Sequence, residues 1–154
     1  MSLTHNRELK DYIFKRLFAE CSNIISAPDL PSTILAEGCY YEMFNECTSL
    51  IKTPELNATI IPSKAYFGMF AKCNNLKKTP KLLANTLGTY CYARMFEECT
   101  SLTEITNLPA LSIPNYAYSM MFRKCINLEN TSIISATSVG SHGCEYMFSE
   151  CYNL

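Results

Sequence analysis

The chain has little of what usually announces a function. It carries two histidines, His5 and His142, far apart, and none of its nine cysteines forms a C-x-x-C pair. Both absences argue against a zinc finger, another metal site or a thioredoxin-like motif. Charge of one sign is also missing: 13 Lys and Arg against 14 Asp and Glu give a net charge of -1 and a pI near 6.1. Such a balance leaves no electrostatic footprint for nucleic acid or an anionic membrane, and the scattered lysines read as a solvated mixed-charge surface. No apolar run approaches the roughly 18 residues that span a bilayer, which excludes membrane insertion in this segment. The first ten residues lack the apolar h-region of a secretory signal, so either the protein is cytoplasmic or its leader lies outside this sequence.

What is present is a globular composition, 48% hydrophobic and 18% charged over 154 residues, enough for one domain with a substantial core. Within it one pattern dominates. Tyr40-Tyr41-Glu42-Met43-Phe44-Asn45-Glu46-Cys47-Thr48-Ser49-Leu50 returns as Y-x-x-M-F-x-x-C-x-x-L at Tyr66, Tyr92 and Tyr118. Partial copies surround Phe18 and Phe148. The phenylalanines Phe18, Phe44, Phe70, Phe96, Phe122 and Phe148 recur every 26 residues without slippage. Cys21, Cys47, Cys73, Cys99, Cys125 and Cys151 follow in the same frame.

Spacing suggests the local structure. Tyr40, Met43, Phe44 and Cys47 stand at i, i+3, i+4 and i+7, the inner face of a two-turn helix. The run from Leu50 to Leu56 is too short for a helix and holds Pro54, so it reads as a strand of three to five residues. Pro28, Pro54 and Pro80 then close their strands, and strands of successive coils stack in parallel about 4.8 Å apart. A corner rich in Gly and Pro (Gly38, Pro62, Gly88, Pro114, Gly140) precedes each return. Residues 1–16 read as an N-terminal helix or cap with Leu9, Ile13, Phe14 and Leu17 on one face; the alternative for the first five or six is a tag-derived tail. Residues 17–154 form an array of about five repeats. It stops at Leu154 without a polar cap and so reads as a fragment of a longer array. The column Glu46, Lys72, Glu98, Lys124, Glu150 alternates in sign, as in-register salt bridges require.

These residues, Met43-Phe44-x-x-Cys47-x-x-Leu50-x-x-x-Pro54-x-Leu56-x-Ala58 and its copies, resemble the BspA-like leucine-rich repeats, a bacterial and protist surface-protein family. The usual unit of that family has an Ala-Phe-x-x-Cys-x-x-Leu core and a shorter period, so this is a longer Met-Phe variant. Thr106 and Ser132 replace the proline, and Ser141-His142-Gly143-Cys144 replaces one corner and its tyrosine. The resemblance implies an α/β repeat fold, a right-handed leucine-rich-repeat solenoid of short parallel strands and short helices. It also implies a place at the cell surface or in secretion, adhesion or protein binding, a host or matrix protein as partner, and no catalytic residues.

Each suggestive residue also has a bland reading. The cysteine column reads as buried reduced thiols, since free cysteine packs as a small hydrophobe. Cys39 and Cys91 lie two coils apart, about 9.6 Å, too far to bridge. His142 beside Cys144 lacks an orienting acid and reads as a corner histidine, which leaves no enzyme and no cofactor. Tyr40, Tyr66, Tyr92 and Tyr118 read as packed with hydroxyls at the rim, whereas Tyr41, Phe67, Tyr90 and Tyr116 are partly exposed. The contact residues expected for a protein ligand lie on the strand face: Lys52, Lys78, Glu104 and Asn130, then Asp29, Glu55, Lys81 and Asn107. The other reading is a structural spacer or an array that self-associates end to end.

Overall fold

The computed structural model describes residues 8–131 and 133–154, and shows a repeat solenoid whose coils stack every 26 residues. Its strands are parallel and very short: β1 Ile60–Ile61, β2 Thr86–Leu87, β3 Ser112–Ile113 and β4 Ser138–Val139. They lie just before the corners and not along Leu50 to Leu56. That run instead holds isolated parallel bridges at Lys52 and Leu56 and their equivalents.

No helix is present among the described residues, which corrects the expectation for Tyr40 to Cys47. The segment is a run of tight turns. Its odd-numbered N–H groups bond within the coil, as Met43 to the Tyr40 carbonyl and Cys47 to that of Phe44. Its even-numbered ones cross to the next coil: Gly38 to Ser63, Tyr40 to Ala65, Glu42 to Phe67, Phe44 to Met69 and Glu46 to Ala71. Every fourth residue is left-handed, here Gly38, Glu42 and Glu46 with φ of 56°, 49° and 62°. Residues two in and two out, repeating every four, satisfy i, i+3, i+4 and i+7 as well as a helix does. Over eight residues the two periods cannot be told apart.

The same run covers Tyr12, Arg16 and Glu20, with φ of 53°, 55° and 65°. The described part of residues 1–16 therefore holds no helix and from Asp11 onward follows the same run of turns; residues 1–7 of that expectation lie outside the described residues. Left-handed backbone costs a non-glycine residue about 1–2 kcal/mol. Of the three such positions in each coil, all but Gly38 and Gly68 nonetheless carry Glu, Lys, Arg, Tyr, His or Met side chains. Ring stacking, burial and the inter-coil hydrogen bonds offset the strain.

Met43, Phe44, Cys47 and Leu50, with their equivalents in the next three coils, are essentially inaccessible. The phenylalanines stack along the axis with centroids 5.5 Å apart for Phe18 and Phe44 and 5.6 Å for Phe44 and Phe70. Beside them Tyr40, Tyr66 and Tyr92 stack at 5.8 and 5.7 Å. The hydroxyl of Tyr40 is buried and unpaired, not at the rim as expected.

The repeat cysteine has a definite task. The Cys47 thiol donates to the Phe18 carbonyl of the coil before it (3.0 Å), and Cys73, Cys99, Cys125 and Cys151 do the same one coil on each time. A residue small and apolar enough to pack, yet able to donate, suits a buried carbonyl.

The corners explain why the strands form two separate pairs. β1 pairs with β2 and β3 with β4. The Gly88 N–H bonds the Ile61 carbonyl and that of Gly140 bonds Ile113. Pro62 and Pro114 stand at the same corner in the alternate coils and have no N–H to give, so β2 and β3 lie adjacent but unpaired. Gly88 also admits close approach: a Cβ there would fall 2.4 Å from the Ser63 nitrogen.

Charged side chains follow the columns. Glu46 meets Lys72 at 2.7 Å and Glu98 meets Lys124 at 3.0 Å, as the alternation predicts, whereas Glu150 takes Arg123 at 3.0 Å. Arg123 also reaches Glu97 at 3.3 Å. Glu97 is buried and held by Arg94 as well, a charge cluster that sequence reasoning missed.

Candidate functional site

Two surfaces carry the residues singled out by the sequence. The outer aromatic residues are largely spent on one another. Tyr41 and Phe67 stack at 4.6 Å, and Tyr90, Tyr116 and His142 form a continuous pile at 4.6 and 4.8 Å. The Lys15 ammonium caps Tyr41 at 4.9 Å from its centroid. Ring faces are thus occupied within each pile, and mainly edges are presented to solvent. His142 stacks on Tyr116 and faces the Glu145 carboxylate at 3.3 Å.

The thiols offer no nucleophile in the core. Burial pushes Cys39 and Cys47 up to about 11 and drives Cys73, Cys91, Cys99 and Cys125 higher still. The thiolate is the reactive form, so these cysteines are inert at neutral pH. All nine are free. Among the described residues no group of three or more His, Cys, Asp or Glu could hold a metal ion. The described residues contain no helix long and apolar enough to cross a membrane.

The strand side is different. Three contiguous hollows form one furrow that crosses four coils. The first, about 480 Å3, lies between Ser26–Pro31 and Lys52–Asn57; the second, about 470 Å3, runs from Thr53–Asn57 to Pro80–Leu83; the third, about 510 Å3, runs from Lys78–Leu83 to Glu104–Pro109. Neighbouring hollows share residues: Thr53, Pro54, Glu55 and Asn57 between the first two, Lys81 and Leu83 between the last two. Buried Pro54, Leu56, Pro80 and Leu82 give it an apolar floor.

Six of the expected contact residues, Lys52, Glu55, Lys78, Lys81, Glu104 and Asn107, are exposed and line this furrow, whereas Asn130 is exposed but lines none of the three hollows. Asp29 joins them at its first coil. Three are already engaged: Lys78 pairs with Glu104 at 2.7 Å, and the Asn107 side-chain oxygen Oδ1 accepts from the Ile133 N–H at 3.3 Å. Lys52, Glu55 and Lys81 have no ion-pair partner among the described residues. Sequence reasoning missed Leu83, Ile105, Pro31 and Pro109, which complete the walls. Their signal was available, because all four flank the repeat proline and leucine positions, but their columns do not keep one residue type along the axis.

Comparison of the chain with protein-family models, with curated proteins and with solved structures returned no match.

Proposed function

We propose that this chain is a non-enzymatic recognition module, part of a surface leucine-rich-repeat protein of the BspA-like type that binds another protein through its strand side. On this reading the solenoid is right-handed, works at the cell surface or in secretion, and takes a host or matrix protein as ligand. The observation that supports it is the furrow: a long open surface with an apolar floor, unpaired charges on its rim and four coils of fixed spacing beneath it. Its columns change chemistry at each coil, as a protein surface does and a periodic polymer does not. The inert thiols agree with a role without turnover.

The test replaces Lys52, Glu55 and Lys78 together by alanine and measures capture from host-surface and matrix extracts. Circular dichroism and the melting temperature serve as controls for folding. Loss of a protein that the unaltered chain captures is expected; equal capture would overturn the strand-side assignment.

A further inference from the structure

At the first rung of the furrow one step between coils is open where the steps on either side are closed. At the first rung of the strand side, Ser26 bridges to Lys52 and Lys78 bridges to Glu104, but Lys52 and Lys78 form no bridge. In the closed steps the hydrogen bonds are alike. The Ile51 and Lys52 N–H groups share the Ile25 carbonyl, and Ala27 donates to Lys52. One closed step further on, Thr103 and Glu104 share the Lys77 carbonyl, and Thr79 donates to Glu104. The equivalent donors of the open step are the N–H groups of Lys77, Lys78 and Thr53, and none has a backbone partner among the described residues.

The side chains around this gap are as uneven as the backbone. Lys52, Lys77, Lys78 and Lys81 all lie within two adjacent coils and are exposed, in a chain whose net charge is -1. Glu104 neutralises Lys78, and Glu55 stands at the same level, so a local excess of positive charge remains. Like charges on Lys52 and Lys78 also oppose closure of the rung, since facing ammonium groups repel across a strand pair. The gap therefore combines free N–H donors with uncompensated lysines, and it opens beside the hollow floored by Pro54, Leu56 and Pro80.

Resting on the reading of the furrow as a recognition surface, we infer that its occupant is an extended acidic peptide. A carboxylate side chain sits at the Lys52–Lys78 step, and the peptide runs along the solenoid axis. The N–H groups of Thr53, Lys77 and Lys78 and the ammonium group of Lys52 supply donors that a carboxylate accepts with charge assistance, that a neutral amide oxygen accepts more weakly, and that an ammonium group cannot accept. The three steps from Asp29 to Asn107 span about 14 Å at the usual strand spacing, which four extended residues cover. Asp29 at one end repels acid there and sets where the acidic residue lies. Nucleic acid fits less well. Carboxylates line the same furrow, no aromatic ring is present in it for a base to stack on, and the chain has no basic excess.

The experiment is an amide NMR titration of the full chain with capped pentapeptides of glutamate, glutamine and lysine, and with inorganic phosphate. Pentaglutamate is expected to shift the Thr53, Lys77 and Lys78 amides, with binding that weakens as salt rises; pentaglutamine and pentalysine are expected to leave them in place. The Lys52→Gln/Lys77→Gln variant, both sites being exposed, is expected to bind pentaglutamate about tenfold more weakly. Unmoved amides at high pentaglutamate, unchanged affinity in the variant, or equal shifts from phosphate alone would each overturn the inference. Its failure is separable from that of the recognition reading. If pentaglutamate fails while the triple alanine variant still loses its captured protein, only the acidic occupant is refuted.

Discussion

Each coil is held to its neighbours on two sides, and the two sides are built differently. Along the turn run the inter-coil hydrogen bonds recur at every step, and the Phe, Met and Cys columns keep one residue type through the full coils. Along the strand side the bonds alternate. The first rung joins Ser26 to Lys52 and Lys78 to Glu104, whereas the later rungs join Leu56 to Leu82 and Leu108 to Ile134. Proline removes donors at Pro62 and Pro114, and columns such as Asp29, Glu55, Lys81 and Asn107 change charge from coil to coil. A repeated backbone thus supports one side kept uniform for cohesion and another left free to vary. Function is to be sought where the bonding is incomplete.

That contrast can be broken most sharply at the aromatic core. Phe96→Ala removes a ring stacked on both Phe70 and Phe122 and is expected to cost about 3–5 kcal/mol in urea denaturation. Leu83→Ala, at a strand-side position 47% exposed, is expected to change stability by no more than about 0.5 kcal/mol. Equal losses would abolish the distinction between the sides. A smaller effect tests the corner: Gly88→Ala forces a Cβ against the Ser63 and Pro62 backbone and is expected to lose about 1–3 kcal/mol. An unchanged urea midpoint would show that the corner can spread.

Smaller again is the response to alkali. Cys39 and Cys47 have folded values near 11 against 9.0 for the free group, because burial disfavours the thiolate. Their contribution is complete below pH 9, where thiols are protonated in both states. It is lost as pH rises from 9 to 11, because the unfolded chain releases its protons first. The melting temperature is therefore expected to fall over that window, and less steeply in a Cys39→Ala variant. A flat profile would mean that the core thiols are not desolvated.

The period, the inward residues and the outward strand-side columns were all legible, because burial imposes a pattern that survives any choice of backbone. The turn run was not. Eight residues with two facing in and two facing out match both a helix and a chain of turns, and the left-handed positions carry Glu42, Glu46, Lys72 and Glu98 where glycine or asparagine would have given the signal. The paired strands were concealed for another reason. Pro62 and Gly88 both read as corner residues, yet one lacks the N–H that the other donates. The charged residues that line the furrow could be found from the strand-side columns, but the open step between Lys52 and Lys78 depends on which rungs close, and that is a property of stacked coils.

The aromatic stacks also have a mechanical meaning. Rings in contact at 5.5–5.6 Å fix the spacing along one side of the rod, since they can be neither compressed nor drawn apart without losing packing. The opposite side, with its missing rungs, has slack. Bending such a rod works like bending a spring with one stiff leaf: the spine keeps its length, and the furrow widens or narrows. A ligand laid along the furrow would then be gripped by the curvature of the whole array, and the stiffness of the phenylalanine spine would set how far the grip can adjust.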